Sequence, residues 1–266
     1  MDSYRILFCG DVVGRPGRQM LREGLPSLVE THEPLFVIAN GENSAAGVGI
    51  TPDTADELFS LGVDAITLGN HAFHKREIYE YLNTDRAIVR PMNMPPSNPG
   101  RGLCTIERGG VRLAVMNLCG RVFMDSYDDP FREIDRVLEM VETSHRLIDF
   151  HGEATSEKIA FAQYCDGRAT AVLGTHTHVQ TADERILPEG TATISDVGMT
   201  GPSQGVLGMD SEAVIRRFRT SMPHRFEVAG GPSVICGVVI DVEKESGRAI
   251  GIRRFQFGEG ARSVEA

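Results

Sequence analysis

Residues 169–178, ATAVLGTHTH, set an apolar run directly against two histidines one residue apart. A short apolar run closed by a glycine and polar residues reads as a buried strand and its end. Side chains at i and i+2 of an extended chain point the same way. If the extended conformation persists through Thr177, His176 and His178 therefore share one direction. Two imidazoles pointing together are costly as charges and useful as ligands. Taken alone, the stretch fits a hydrogen-bonded pair in a loop as well as it fits a metal site.

Four earlier apolar runs end in the same manner. YRILFCGD (4–11) stops at Asp11, LFVIANGEN (35–43) at Glu42 and Asn43, DAITLGNH (64–71) at Asn70 and His71, and HRLIDFHGE (145–153) near His151. Helical patterns lie between several of them, at 17–32, 51–62, 76–82, 129–144 and 156–165. Thr51-Pro52 and Asp129-Pro130 carry cap and first-turn chemistry. Strands alternating with helices predict an α/β architecture with many parallel strands. Two segments differ. GLCTIERGGVRLAVMNL (102–118) reads as two strands turned at Gly109-Gly110, and HRFEVAG, SVICGVVIDVE and RAIGIRRFQF (224–230, 233–243, 248–257) follow one another without a helix. Antiparallel strands are expected there, so a mixed sheet, or two packed mixed β-sheets flanked by helices, fits better than a doubly wound parallel sheet.

The 266 residues are 41% hydrophobic and 24% charged, with no composition shift or repeat to mark a boundary, so one domain over 1–266 is expected. A net charge of −10 makes a poor platform for extended nucleic acid, which needs arrays of Lys and Arg, but leaves small phosphate esters open. The N-terminus shows no basic region followed by a long apolar one. No run approaches the ~18 apolar residues of a membrane span. Cys9, Cys104, Cys119, Cys165 and Cys236 include no C-x-x-C and read as free thiols of a reducing compartment. A cytoplasmic protein without membrane contact is expected. The apolar C-terminal strands leave room for a homo-oligomer, and a buried sheet explains them equally well.

In open α/β sheets ligands sit outside the carboxyl ends of the strands. Here those ends carry Asp11, Glu42, Asn43, Asn70, His71, His151, His176 and His178. Each has an ordinary explanation as a cap, a turn residue or a hydrogen-bonded loop residue, but five successive strand ends are harder to explain that way. The mixed oxygen and nitrogen set suits Mn, Fe or Zn. It exceeds what one tetrahedral zinc needs and fits two ions about 3.5 Å apart, bridged by a carboxylate and a hydroxide.

The chain resembles the calcineurin-like metallophosphoesterases, whose metal motifs read D-x-H, G-D-x-x-D, G-N-H-[DE], a lone H and G-H-x-H. GNHAFH (69–74), the histidine of DFHGE and GTHTH (174–178) match. Two blocks depart: Val13 stands where the first histidine belongs, and Glu42 of NGEN replaces the bridging aspartate, with Asn43 beside it. The combination is similar to the YmdB-like bacterial branch from Ile6 to beyond ISDVGMTGP (194–202). The resemblance implies a metallophosphoesterase-like α-β-β-α sandwich, a di-iron centre and phosphodiesterase action on cyclic nucleotides, the 2′,3′-cyclic ones in particular. It implies that Asp11, Asn43 and His178 hold one metal, that Asn70, His151 and His176 hold the other, and that Glu42 bridges. It leaves His71 as proton donor to the leaving group while the metal-bridging hydroxide attacks phosphorus. A carboxamide in place of an imidazole favours iron, then manganese, then zinc. The competing readings are a phosphomonoesterase or nuclease on the same scaffold, or a metal-bound signalling protein with little turnover. Thr155, Ser156 and Lys158 are open as phosphate contacts, with helix capping the competing role for Ser156. Residues 196–208, rich in glycine, are expected at the mouth of the site.

Overall fold

Alternation along the first strand separates two apolar layers. In the computed structural model, which describes residues 2–260, β1 (Ser3–Cys9) sends Tyr4, Ile6 and Phe8 into one cluster and Leu7 and Cys9 into another. Then come β2 (Asp11–Val12), α1 (Gly14–His32), β3 (Phe36–Asn40), α2 (Pro52–Ser60), β4 (Ala65–Thr67), α3 (Ile78–Tyr81) and β5 (Ile88–Val89). β1, β3, β4 and β5 pair in parallel, as strands joined by helical crossovers do. β6 (Leu103–Arg108) and β7 (Val111–Cys119) form the expected antiparallel hairpin. Its turn residues Gly109 and Gly110 have φ of 57° and 76°, the left-handed pair that lets a two-residue loop follow the strand twist.

The chain continues through α4 (Pro130–Leu138), β8 (Arg146–His151), α5 (Thr155–Tyr164), β9 (Ala171–Thr175), β10 (Arg185–Ile186) and β11 (Ala192–Ile194). It then returns to the first sheet through β12 (Met199–Pro202), α6 (Ser211–Thr220), β13 (Ser233–Glu243) and β14 (Ala249–Phe257). Among the described residues one sheet has eight strands ordered β2-β12-β13-β1-β3-β4-β5, with β14 paired to β13. The other has six, ordered β10-β11-β9-β8-β7-β6. Both sheets are mixed, and helices flank the pair: the expected α-β-β-α sandwich.

Three apolar layers hold it together. Phe8, Phe36, Ile38, Leu147, Leu173 and Ile240 lie between the sheets. Leu21, Leu25 and Leu58 of α1 and α2 cover the outer face of the first sheet. Phe161 of α5 and Ile134 of α4 cover that of the second, where Phe150 and Phe161 stack with centroids 4.2 Å apart. Burial of each such large apolar side chain contributes roughly 1.5–3 kcal/mol. Thr51 caps α2 through a capping box with Thr54, and Asp129 caps α4 by accepting from Phe131 N, as their sequences predict.

Other expectations are corrected. α5 has Ala154 at its cap position with no side-chain cap, and Ser156 lies inside the first turn. HRFEVAG contributes only the isolated Met209–Val228 bridge instead of a strand, and α6, unforeseen, precedes it. Ile215 and Phe218 of α6 are exposed and Val214 is its single buried residue, so no buried stripe gives the pattern a clear period. The five cysteines, as expected, are buried and not joined in disulfides. No helix among the described residues is long and apolar enough to cross a membrane.

Candidate metal centre

The inter-sheet faces of four parallel strands turn polar at their carboxyl ends. Phe36 and Ile38 of β3 are followed on that face by Asn40, and Ala65 of β4 by Thr67. Leu147 of β8 is followed by Asp149 and His151, and Leu173 of β9 by Thr175. Period-2 alternation puts all of these on one buried level. Asn40 Nδ2 and Thr67 Oγ1 donate to Asp149 Oδ2 at 2.9 and 2.5 Å, and Thr175 Oγ1 donates to Asp149 Oδ1 at 2.6 Å. The carboxylate thus ties the two sheets together under the loops. Burial raises its pKa to about 6, against the lowering effect of His151 and of these three hydrogen bonds.

Above this level the eight residues singled out from the sequence are brought together. His151 Nε2 lies 2.9 Å from Asn70 Oδ1, 3.0 Å from His176 Nδ1 and 3.2 Å from Glu42 Oε1. His71 Nδ1 lies 3.2 Å from Glu42 Oε1 and 2.8 Å from Asn43 Oδ1. Its backbone N–H donates to Glu42 Oε2. Asn43 Nδ2 donates to Glu42 Oε1 at 2.9 Å and faces His178 Nε2 at 3.3 Å. Asp11 Oδ1 lies 3.9 Å from His178 Nε2 and from His151 Nδ1. The Asn43 amide therefore turns its nitrogen, not its oxygen, toward His178. An oxygen-ligand role beside Asp11 and His178 requires that amide to turn over.

The donors outnumber the protons that could satisfy them. A ring nitrogen carries at most one proton, yet three acceptor-bearing groups converge on His151 Nε2. Asp11 Oδ1 is buried without a hydrogen-bond partner. Glu42, His151 and His176 offer ligand atoms all within 4.8 Å of one another. Inward-facing lone pairs with too few protons are costly in a buried site, and a cation compensates them. The residues present therefore fit a metal ion. The same crowding shapes the charges. Burial raises the Glu42 pKa, but His151 and His71 outweigh it and hold the carboxyl well below the usual range. Burial lowers His151, but Glu42, Asp11 and Asp149 outweigh it and bring it to about 9. His176 falls to about 3 through burial and the neighbouring His151.

Gly69 is what lets the third loop come this close. A Cβ there would stand 2.3 Å from Glu42 Oε2 and 2.4 Å from His151 Nε2. Gly69→Ala is expected to push the Asn70–His71 turn outward and reduce activity by ~10-fold or more, since misplacements of about an ångström cost up to 10²-fold. Kinetics and metal content after dialysis check this, and a variant unchanged in both contradicts it.

His176 and His178 are placed by a different rule from the one their spacing predicts. β9 ends at Thr175, and His176 and His178 have φ of 103° and 64°. The chain is not extended there, and the i, i+2 argument does not apply. His176 turns to His151, and His178 turns to Asn43. Asp196, unread in the sequence, holds the strained turn: its Oδ2 accepts from Thr177 N at 3.0 Å and Thr177 Oγ1 at 2.8 Å, and its Oδ1 from Gly198 N. Lys158 Nζ donates to the same Oδ2 at 2.7 Å, and both side chains are nearly fully buried. Lys158 is therefore an internal counter-charge and not an open phosphate contact. Removing one partner of a buried pair costs about 3–5 kcal/mol, so Lys158→Ala should lower the urea unfolding free energy by that amount. A loss under about 1 kcal/mol, the range of exposed pairs, contradicts the assignment. Glu153, also unread, meets His176 Nε2 at 3.2 Å. An acid two residues before His151 inside an apolar strand was the signal available for Asp149. Nothing local marked Asp196. The 196–208 segment does border the site, since Leu207 O accepts from His178 Nδ1 at 3.0 Å.

Two mixed sheets face to face between helices are the architecture of the metallophosphoesterase-like phosphatases. The YmdB-like protein family model matches residues 7–255, and the chain belongs to that family. It is 51% identical over 257 residues to the 2′,3′-cyclic-nucleotide 2′-phosphodiesterase of Bacillus subtilis strain 168, spanning 96% of this chain and 97% of that protein. A crystal structure of a hypothetical protein from Thermus thermophilus superposes with a TM-score of 0.91 at 43% identity, over 96% of this chain and 99% of that one. A novel phosphatase from Mycoplasma pneumoniae superposes with a TM-score of 0.92 at 33% identity, over 97% and 94% of the two chains.

Proposed function

We propose that this phosphoric diester hydrolase opens 2′,3′-cyclic nucleotides at a dinuclear metal centre. The observation that carries the reading is the convergence of Asn70, His176 and Glu42 on His151 Nε2, in a chain half identical to a phosphodiesterase of that specificity. Asp11, Asn43 and His178 would hold one ion, and Asn70, His151 and His176 the other, with Glu42 between them. The oxygen-rich first set favours iron, then manganese, then zinc. Bound there, the ions would supply a hydroxide nucleophile near neutral pH and offset charge on the phosphoryl oxygens. The bond to O2′ breaks, that oxygen takes a proton, and a 3′-phosphate remains.

The chain's own residues do the rest. His71, with 27% of its side chain exposed and Nδ1 3.2 Å from Glu42 Oε1, would deliver that proton to the departing oxygen. The acidic surface fits a small diester better than extended nucleic acid. Five buried cysteines without a disulfide fit a reducing cytoplasm. A screen of 2′,3′- and 3′,5′-cyclic nucleotides, monoesters and short RNA after metal reconstitution tests the assignment. The 2′,3′-cyclic substrates should be turned over with the highest kcat/KM and yield 3′-nucleotides. A preference for monoesters or RNA would overturn it.

A further inference from the structure

The hydrogen bonds beneath His151 have a direction, and that direction decides which ring nitrogen is offered to the cluster. Asp149 and His151 lie on the same face of β8, two residues apart, and β9 sets Thr175 opposite His151 in register. Thr175 Oγ1 lies 2.6 Å from Asp149 Oδ1 and 2.8 Å from His151 Nδ1. The hydroxyl has one proton. Asp149 accepts from Asn40 and Thr67 on Oδ2, and Thr175 donates that proton to Oδ1. That leaves only lone pairs facing His151 Nδ1, which must then carry the ring proton. The nearest competing acceptor, Asp11 Oδ1, is 3.9 Å from Nδ1.

We infer that Asp149 and Thr175 are positioning residues: through the Thr175 hydroxyl they fix His151 with its proton on Nδ1 and aim a bare Nε2 at Asn70, His176 and Glu42. The inference rests on His151 being a metal ligand, as proposed above. Metal-ligating histidines gain affinity when the other ring N–H is held by a carboxylate or another acceptor. Here the carboxylate sits too far down its own strand to face the ring, and a hydroxyl from the neighbouring strand spans the gap. The donors that anchor Asp149, Asn40 and Thr67, belong to the opposite sheet, so the orientation of the ligand depends on the contact between sheets.

Thr175→Val keeps the branched shape and removes the hydroxyl, while Thr175→Ser keeps the hydroxyl. With chelator-stripped full-length protein and Mn(II) as probe, calorimetry should show Thr175→Val weakened by about 10–100-fold, and Thr175→Ser within about threefold of the parent chain. Thermal unfolding confirms that both are folded. A folded Thr175→Val that binds like the parent overturns the inference, as does a Thr175→Ser as weak as the valine variant, because shape alone would then be responsible. Nitrogen-15 NMR of histidine-labelled, Zn(II)-loaded parent protein decides the matter even if the valine variant fails to fold. A His151 proton on Nδ1 is expected, and a proton on Nε2 overturns the inference. Parent protein that takes up no Mn(II) at all would instead overturn the metal-centre reading, and this inference with it.

Discussion

Glu42→Gln is expected to lose more than ~10²-fold in kcat while keeping its fold, since residues that merely orient a metal ligand already cost 10–100-fold when changed. Glu42 is buried, and its two oxygens are shared among His151, His71 and Asn43. The amide halves the acceptor capacity and removes the charge that two cations would share. The apolar layers do not include Glu42, so far-ultraviolet circular dichroism and the unfolding midpoint should change little, while metal content falls. Retention of near-normal metal content and rate would place the bridge on another residue.

His71→Ala should keep its metals and lose about 10²-fold or more on a cyclic nucleotide, within the 10²–10⁴-fold range of general acid catalysis. The loss should depend on the leaving group. A ribose hydroxyl leaves badly as an alkoxide and needs the proton, whereas the phenolate of an aryl phosphodiester does not. Comparison of kcat/KM for both substrates, with metal analysis of the same samples, isolates the role. Equal losses would make His71 a residue that positions substrate. Metal loss would move it into the ligand shell and leave His74, whose ring stands 4.8 Å from it edge to face, as the next candidate donor.

Much of this architecture was legible in the residues. The ends of β1, β3, β4, β8 and β9 were marked because apolar runs stopped at residues that cannot be buried without partners. The β6–β7 hairpin was marked by two glycines between alternating segments. What was not legible depends on contacts between distant segments. His176 and His178 were expected to share a face of an extended chain, but that conformation stops at Thr175. Their left-handed backbone is held by Asp196, about 20 residues away. Lys158 sits beside His151 in sequence and was open as a phosphate contact, yet it is turned inward to that same aspartate. Asp149 falls inside an apolar run in the sequence because its partners Asn40 and Thr67 lie in the other sheet. α6 is not legible because Val214 alone of its residues is buried while Ile215 and Phe218 face outward, which leaves no buried stripe.

The most direct test is a titration of chelator-stripped full-length protein with Mn(II) while hydrolysis of 2′,3′-cyclic AMP is followed. A dinuclear centre predicts no turnover without metal and a rise that breaks at two equivalents per chain, with 3′-AMP as product. Turnover that persists without metal, or reaches its full rate at one equivalent, would contradict the account.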